Sequence, residues 1–318
     1  MNHDEKQKLI GPAIRVISLD CVFPERYTMP IIRNKLRGRS LIMTEMKEKI
    51  MLLGKLTRLG RLFNERSGRM VTIAIDHTIG YGIIPGLENM QKVVDVLAKA
   101  RPDAIMMHKG IAERCFEAHA GKVALILQSA AASPFQPNWE YPTAHVTEAI
   151  ALGADAISVA ITIGGEDQTR QTQHLGKVVR EARIVGLPVV AHCYPKGKFI
   201  PEDERFNVEH VLYAARVGAE LGVDIIKTYY TGSPETFAKV VESVPAKVVA
   251  AGGPKISDLD QMFSTVKDIM GTGAVGITYG RNVWQDPNPA GIIAALRAVV
   301  HDNAAPDQAA EIYNGKTK

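Results

Sequence analysis

Val223-Asp224-Ile225-Ile226-Lys227-Thr228 is a run of β-branched and apolar residues that carries an aspartate near its start and a lysine near its end, and the chain on either side repeats the same plan. Toward the N-terminus, runs of this type occupy residues 188–193, 155–161, 123–128, 103–108 and 71–76; toward the C-terminus they occupy 246–251 and 274–279. Each is almost continuously apolar, the pattern of a strand buried on both faces. Amphipathic stretches of helical length separate them. Ser233-Pro234-Glu235 supplies an N-cap followed by a proline at the first helical position. Ser257 with Asp260 marks another helix start, and Gly153, Gly186 and Gly222 follow helical runs where a left-handed residue ends the helix. Eight strand-plus-helix units predict an α/β fold closed into a (β/α)8 TIM barrel with an N-terminal extension. An open doubly wound sheet would show a GxGxxG turn after its first strand, and this sequence has none.

Residues 1–42 lie outside this plan, because Pro12, Pro24 and Pro30 interrupt any period and the stretch 33–39 is strongly basic. The division predicted is a basic extension over 1–42, a barrel with its N-terminal helix over 43–302, and a C-terminal tail over 303–318. Residues 1–70 hold 15 Lys and Arg against 7 Asp and Glu, and the remainder holds 23 against 27, so the basic excess is confined to the first segment. That segment has no interleaved aromatics and no groove-reading motif, so its charge reads as a solvated face and no nucleic-acid partner is expected. No apolar run approaches the roughly 18 residues of a membrane span, so no membrane partner is expected. Cys21, Cys115 and Cys193 are too few and too scattered for a disulfide framework or a CxxC metal site. With no secretory leader after Met1, the reading is a cytoplasmic protein.

In such a barrel the chemistry sits at the C-terminal ends of the strands, so polar residues closing apolar runs are the candidates. They are Asp76 and His77, His108 and Lys109, Gln128 and Ser129, His192 and Tyr194, Lys227, and Arg281. Lys227 has two readings. Burial and cationic neighbours such as Lys109 would lower its pKa and give a neutral amine that attacks a carbonyl; alternatively it is tied to Asp76 in a structural ion pair. The Tyr194 phenol is placed to move a proton or to act as an aromatic lid. Asp76 is placed to act on a carbinolamine or to hold a substrate hydroxyl. The turns at Gly252-Gly253 and Gly280-Arg281 follow the last two strands, where barrels hold phosphate on backbone N–H groups, with Arg281 adding a charged contact. His77, His108 and His192 end strands without the spacing of a metal site, so no metal is expected.

Six segments taken together resemble a known family, the archaeal-type class I aldolases related to deoxyribose-phosphate aldolase. They are Ala74-Ile75-Asp76-His77, Met107-His108-Lys109-Gly110-Ile111, Tyr194-Pro195-Lys196-Gly197, 224–232 around Lys227, Ala251-Gly252-Gly253-Pro254-Lys255 and 280–285 around Arg281, and the resemblance runs from about Gly54 to the C-terminus. It implies that Lys227 is a Schiff-base lysine, Tyr194 the proton-transfer residue and Asp76 a catalytic carboxylate. It further implies that Gly252, Gly253, Gly280 and Arg281 form a phosphate site; His77, His108, Lys109, Ser129 and His192 are expected, from their places at strand ends, to contact the substrate. It implies no cofactor beyond the covalent Schiff base, no metal, a phosphorylated small-molecule substrate, and a homo-oligomer, decamers of two stacked five-membered rings among them. The expected activity is a class I aldolase or transaldolase acting on a phosphorylated ketose, most like fructose-bisphosphate aldolase or aminodideoxyheptulosonate synthase. The alternatives are an enzyme like the thiolase of phosphorylated autoinducer-2, or a catalytically silent sugar-phosphate-binding barrel. Three positions depart from the family patterns: Thr78 stands for a glycine, His192 for the tryptophan of fructose-bisphosphate aldolases, and Ala160 for the histidine of heptulosonate synthases.

Overall fold

Eight parallel strands close into a ring in the computed structural model, which describes residues 52–316. The basic extension assigned to 1–42 lies outside the described residues. In chain order the strands are β1 (Met70–Ala74), β2 (Ala104–His108), β3 (Ala124–Gln128), β4 (Ala130–Ser133), β5 (Gln136–Pro142), β6 (Ala156–Ile163), β7 (Val189–Pro195), β8 (Ile225–Tyr229), β9 (Lys247–Ala251) and β10 (Gly276–Tyr279). The ring runs β1-β10-β9-β8-β7-β6-β3-β2 and closes from β2 back to β1. Its eight members fall on the eight apolar runs of the sequence. The (β/α)8 barrel is the fold.

Between β3 and β6, which pair directly in the ring, the chain inserts a feature absent from the sequence reading, the antiparallel hairpin β4–β5. Ala130-Ala131-Ala132 is poor in β-branched residues, and Pro137 and Pro142 break the alternation that announces a strand.

Side-chain parity sorts each ring strand into two cores. The residues facing the barrel axis include Met70, Ala74, Met106, Ile126, Ala156, Val190, Ile225 and Val249, capped below by Leu62 of the helix 52–62. Their neighbours in sequence, such as Ile73, Ile105, Leu127, Ile157, Ala191 and Ile226, pack outward against the helices in a second, larger cluster. Both faces of each strand are therefore dry, which is why the runs read as continuous. Because the strand period is two, the next axial position after Ala74, Ile126, Ala156, Val190 and Ile225 is Asp76, Gln128, Ser158, His192 and Lys227 respectively. A polar layer thus stands on an apolar floor.

The helices begin and end with the expected local chemistry. The Ser233 hydroxyl accepts from the Thr236 N–H ahead of Pro234–Ser243. The helix Leu259–Gly271 is capped by Asp258, one residue beyond the Ser257 predicted, with its carboxylate accepting from the N–H groups of Asp260 and Gln261. Within the segment assigned as a tail, Pro306–Tyr313 forms a helix that buries Ala309. No helix among the described residues is long and apolar enough to cross a membrane.

At the N-terminal rim, three aspartates that precede β2, β6 and β8 each reach a neighbouring strand. Asp103 accepts from Val71 N–H at 2.7 Å, Asp155 from Leu125 N–H at 3.2 Å, and Asp224 from Val189 N–H at 3.0 Å. Each also pairs with a basic side chain: Arg297, Arg61 and Lys55 respectively. These ties close the end of the barrel opposite the cavity described next.

Candidate active site

The polar layer forms the floor of a cavity of about 640 Å³ at the C-terminal mouth of the barrel. Lys227 rises from it on β8, in register with His192 on β7, and is only 6% exposed. Among the described residues its ammonium makes no salt bridge, so the structural ion pair with Asp76 does not form. Burial moves its pKa below the ordinary lysine value, and the field of the Asp76 carboxylate partly opposes that shift. Lys109, expected to help depress it, does not line the cavity. It is the first residue of the helix Lys109–Cys115, and its Nζ donates to Glu148 Oε1 at 2.6 Å.

Asp76 is held at the cavity floor by Gln128, whose Nε2 donates to Oδ2 at 2.9 Å. Burial works to raise the Asp76 pKa, and His77, Lys227 and His192 work to lower it; the latter prevail and hold it well below the usual carboxylate range. His77 Nδ1 lies 3.5 Å from Asp76 Oδ1 without hydrogen-bond geometry, and the His77 ring stands edge-on to Trp284 at 5.4 Å. His192 is 3% exposed, and burial drives its pKa well down, so the imidazole is neutral. Gln128 Nε2, 3.5 Å from His192 Nδ1, can only donate; Nδ1 therefore accepts, and Nε2 carries the proton toward Ser158 Oγ at 2.9 Å.

Tyr194 sits two residues beyond His192 and stacks on Tyr229, with ring centroids 4.6 Å apart. Burial pushes its phenol well above the ordinary range, with Tyr229 and Asp76 adding to the shift, so it is a proton donor at neutral pH. Above it the rim carries Glu140 from β5, Lys196, and Arg205, whose guanidinium lies 4.9 Å over the Phe206 ring.

The side of the mouth formed after β9 and β10 is built for close approach. A Cβ on Gly280 would stand 2.7 Å from His77 Cε1 and 3.0 Å from the Ala74 carbonyl, and one on Gly252 would stand 2.9 Å from the Tyr279 ring. Gly253 is different: its φ is +63° and the space around it is open, so there the requirement is conformational. Arg281 Nη2 donates to the Gly253 carbonyl at 3.0 Å, and Asn282 Nδ2 to the Gly252 carbonyl at 2.9 Å, tying the two turns together. Arg281, which makes no salt bridge among the described residues, and the two bare turns form a surface suited to an anion.

Of the residues singled out from sequence, Lys227, Tyr194, Asp76, His77, His192, Gly252, Gly253, Gly280 and Arg281 all line one cavity. Ser129 lies behind it, donating from its N–H to Gln128 Oε1 and from its hydroxyl to the Ser158 carbonyl. His108 also stands back, its Nδ1 3.2 Å from the Gln128 carbonyl. Ser158, Glu140, Arg205 and Tyr229 were not singled out. Parity with Ala156 was the available signal for Ser158, and Tyr229 lies two residues past Lys227; Glu140 belongs to the unforeseen hairpin. Among the described residues no three His, Cys, Asp or Glu side chains cluster as a metal site would require.

The sequence matches the model of the DeoC/LacD family aldolase over residues 70–286. It is 34% identical over 258 residues to the 2-amino-3,7-dideoxy-D-threo-hept-6-ulosonate synthase of Halobacterium salinarum, a match covering 80% of this chain and 95% of that protein. It is 31% identical over 248 residues to the 2-amino-4,5-dihydroxy-6-oxo-7-(phosphonooxy)heptanoate synthase of Streptomyces griseus, covering 77% and 90%. Among solved structures, an archaeal fructose 1,6-bisphosphate aldolase superposes with a TM-score of 0.72 at 30% identity, covering 77% of this chain and 98% of that one. An archaeal fructose-1,6-bisphosphate aldolase with its catalytic lysine covalently bound to the carbinolamine intermediate superposes with a TM-score of 0.71 at 29% identity over the same shares.

Proposed function

Because the chain belongs to the DeoC/LacD family of aldolases and is a class I enzyme, working through a Schiff base, we propose that Lys227 is its Schiff-base lysine and a phosphorylated ketose its substrate. The observation that carries the assignment is a buried amine on the cavity floor, without a salt bridge among the described residues, beside an ionised carboxylate and a protonated phenol. A structural lysine in this position would have been paired, because an isolated buried ammonium is costly.

The chemistry follows from that placement. The neutral amine of Lys227 adds to the ketone carbon, and loss of the carbonyl oxygen as water gives an iminium. In cleavage, the carbon–carbon bond one atom removed from the iminium carbon breaks as the hydroxyl on the departing carbon gives up its proton to the Asp76 carboxylate and becomes an aldehyde. The bonding pair moves into the iminium and leaves an enamine. Protonation of that enamine at carbon and hydrolysis of the resulting iminium return the free lysine. Asp76, ionised and oriented by Gln128, accepts hydrogen bonds from the carbinolamine and substrate hydroxyls. The Tyr194 phenol supplies the proton that the enamine carbon takes up, and the proton carried by Asp76 restores the phenol. Arg281, with the turns at Gly252, Gly253 and Gly280, holds the phosphate, and His77 and His192 present neutral imidazoles to the substrate. Run in reverse, the same steps join an aldehyde to the enamine. The enzyme works without metal or bound cofactor, in the cytoplasm, as a homo-oligomer.

Borohydride added with a phosphorylated ketose is expected to leave the reduced adduct on Lys227, seen as a mass increase on the peptide that contains it. The same treatment of Lys227→Ala is expected to leave no adduct. An active enzyme that remains unlabelled on every residue would overturn the mechanism. Labelling without turnover would instead return the silent sugar-phosphate-binding barrel.

A further inference from the structure

The two sides of the cavity mouth handle charge differently. Arg281 follows β10, whereas Lys196 follows β7 and Glu140 sits on the hairpin inserted after β3. In the ring of eight, β7 and β3 are each three places from β10, so Lys196 and Glu140 stand across the mouth from Arg281. On that far side Lys196 and Arg205 each already have an acid. Lys196 Nζ donates to Glu140 Oε1 at 3.2 Å and to the Pro137 carbonyl at 2.9 Å, and Arg205 Nη1 donates to Glu202 Oε1 at 2.9 Å. Arg281 has only the Gly253 carbonyl, with no carboxylate among the described residues in salt-bridge contact.

The two far-side pairs differ in weight. Glu202 is 85% exposed and swings in water, so that pair screens little. The Glu140 side chain is 8% exposed and lines the cavity itself. A phosphate carries between one and a half and two negative charges near neutrality, to within about half a charge. Brought to the far side, it would meet the Glu140 carboxylate at close range and find two of the three Lys196 donors already engaged. At the Arg281 side it meets a guanidinium and two turns cleared of side chains.

Resting on the aldolase reading above, we propose that Glu140 is a specificity-determining residue: by holding Lys196 it leaves one phosphate site, at Arg281, and reserves the far side for an unphosphorylated group. The substrate class is then a ketose with a single phosphate, carried on the fragment that stays on Lys227, and the aldehyde released or captured is unphosphorylated. Lys196 positions Glu140 and contributes no phosphate contact.

Fructose 1-phosphate and fructose 1,6-bisphosphate differ only in the second phosphate, and the ratio of their kcat/KM values reads the proposal directly. The wild type is expected to favour the monophosphate. In Glu140→Gln the ratio is expected to move toward the bisphosphate by at least about tenfold, corresponding to about 1.4 kcal/mol, mainly through KM. A wild type that favours the bisphosphate overturns the proposal, and that measurement stands even if the variant does not fold. A folded Glu140→Gln with an unchanged ratio overturns it equally. A general loss of structure lowers both rates together and leaves their ratio in place, so the ratio separates specificity from stability. If borohydride traps neither ketose on Lys227, the aldolase reading itself fails and takes this one with it; trapping that favours the bisphosphate refutes only the role of Glu140.

Discussion

The side-chain amide of Gln128 is pinned at both ends, its Nε2 donating to Asp76 Oδ2 at 2.9 Å and its Oε1 accepting from the Ser129 N–H at 3.1 Å. The second bond fixes which way the amide points, so Asp76 is always offered a donor. A hydrogen bond to a charged group contributes about 1.5–3 kcal/mol, and its loss corresponds to a fall of about ten- to a hundredfold in kcat/KM. That fall is expected for Gln128→Leu. Gln128→Glu keeps the acceptor for Ser129 but replaces the donor with a second carboxylate facing Asp76, and is expected to be worse. Steady-state rates for the two variants check the order; a Gln128→Glu enzyme as active as the wild type would mean Asp76 does not need that donor.

Removing the carboxylate itself has two separable effects. Asp76→Asn is expected to slow turnover by about a hundredfold or more, the range associated with an acid–base group. Burial lowers the Lys227 pKa and Asp76 raises it, so loss of Asp76 removes the opposing influence and the pKa falls further. The neutral amine then persists to more acidic pH. The acid limb of Schiff-base formation, followed as the fraction trapped by borohydride across pH, is expected to move to lower pH in Asp76→Asn. A limb that stays in place or moves up would show that Asp76 does not act on the amine.

Gly280 and Gly253 make a controlled pair, because only one of them is crowded. Alanine at 280 would drive a methyl into His77 Cε1 and the Ala74 carbonyl, whereas the Gly253 site is open and its cost is the positive φ alone. Gly280→Ala must therefore shift His77 from its place against Trp284 and reshape the anion turn. Overpacking of this kind costs about 1–3 kcal/mol, and KM for a phosphorylated ketose is expected to rise about tenfold with it. Gly253→Ala is expected to cost about 1–2 kcal/mol through backbone strain with a smaller change in KM. Thermal melts and KM values for both variants test this, and equal KM changes would count against a phosphate at the Gly280 turn.

Much of this geometry is legible in the sequence. The eight ring strands were legible because β-branched runs buried on both faces have no polar positions to blur them. The convergence of Asp76, His192, Tyr194, Lys227 and Arg281 followed from strand ends alone. What the sequence hid was parity within those ends. His108 closes β2 and Lys109 opens a helix, so the lysine turns away toward Glu148. Likewise Gln128 faces the axis, and its neighbour Ser129 is turned back onto the Ser158 carbonyl. In each pair the continuous apolar run gave no clue as to which residue faced inward, since both faces are dry. Glu140 was hidden for another reason: its hairpin pairs an alanine-rich strand with one that Pro137 and Pro142 bracket, so it shows no continuous β-branched run and its pairing across Ala131 and Tyr141 is not announced.

At the opposite end of the barrel, Asp103 gathers more partners than any one propensity would suggest: Val71 N–H at 2.7 Å, Arg297 at 2.8 Å and His301 Nε2 at 2.9 Å. It thereby fastens the helix Pro289–Asp302 to β1 across the start of β2. Burial works to raise its pKa, but His301, the Val71 N–H and Arg297 outweigh it, and the group titrates below its ordinary value of 3.8. A lowered pKa in the folded state means that the stabilisation is fully present above the unfolded value and is lost as pH falls through the folded one. Asp103→Ala strands the Arg297 guanidinium, the His301 ring nitrogen and a backbone donor, a change that costs about 3–5 kcal/mol for a buried pair. For a chain of this size that corresponds to an apparent Tm lower by about 6–20 °C at neutral pH. Asp103→Asn keeps an acceptor for Val71 but turns an amide toward Arg297 and His301, so its loss is expected to be intermediate. The gap between wild type and Asp103→Ala is expected to begin narrowing below the ordinary value of 3.8, where the unfolded chain takes up the proton, and to go on narrowing as pH falls toward the lower folded value. Melts at pH 7 and pH 3 measure both gaps. A gap that widened in acid would mean that the tie is not the ionised carboxylate, and that the helix Pro289–Asp302 is held to the barrel by its apolar face alone.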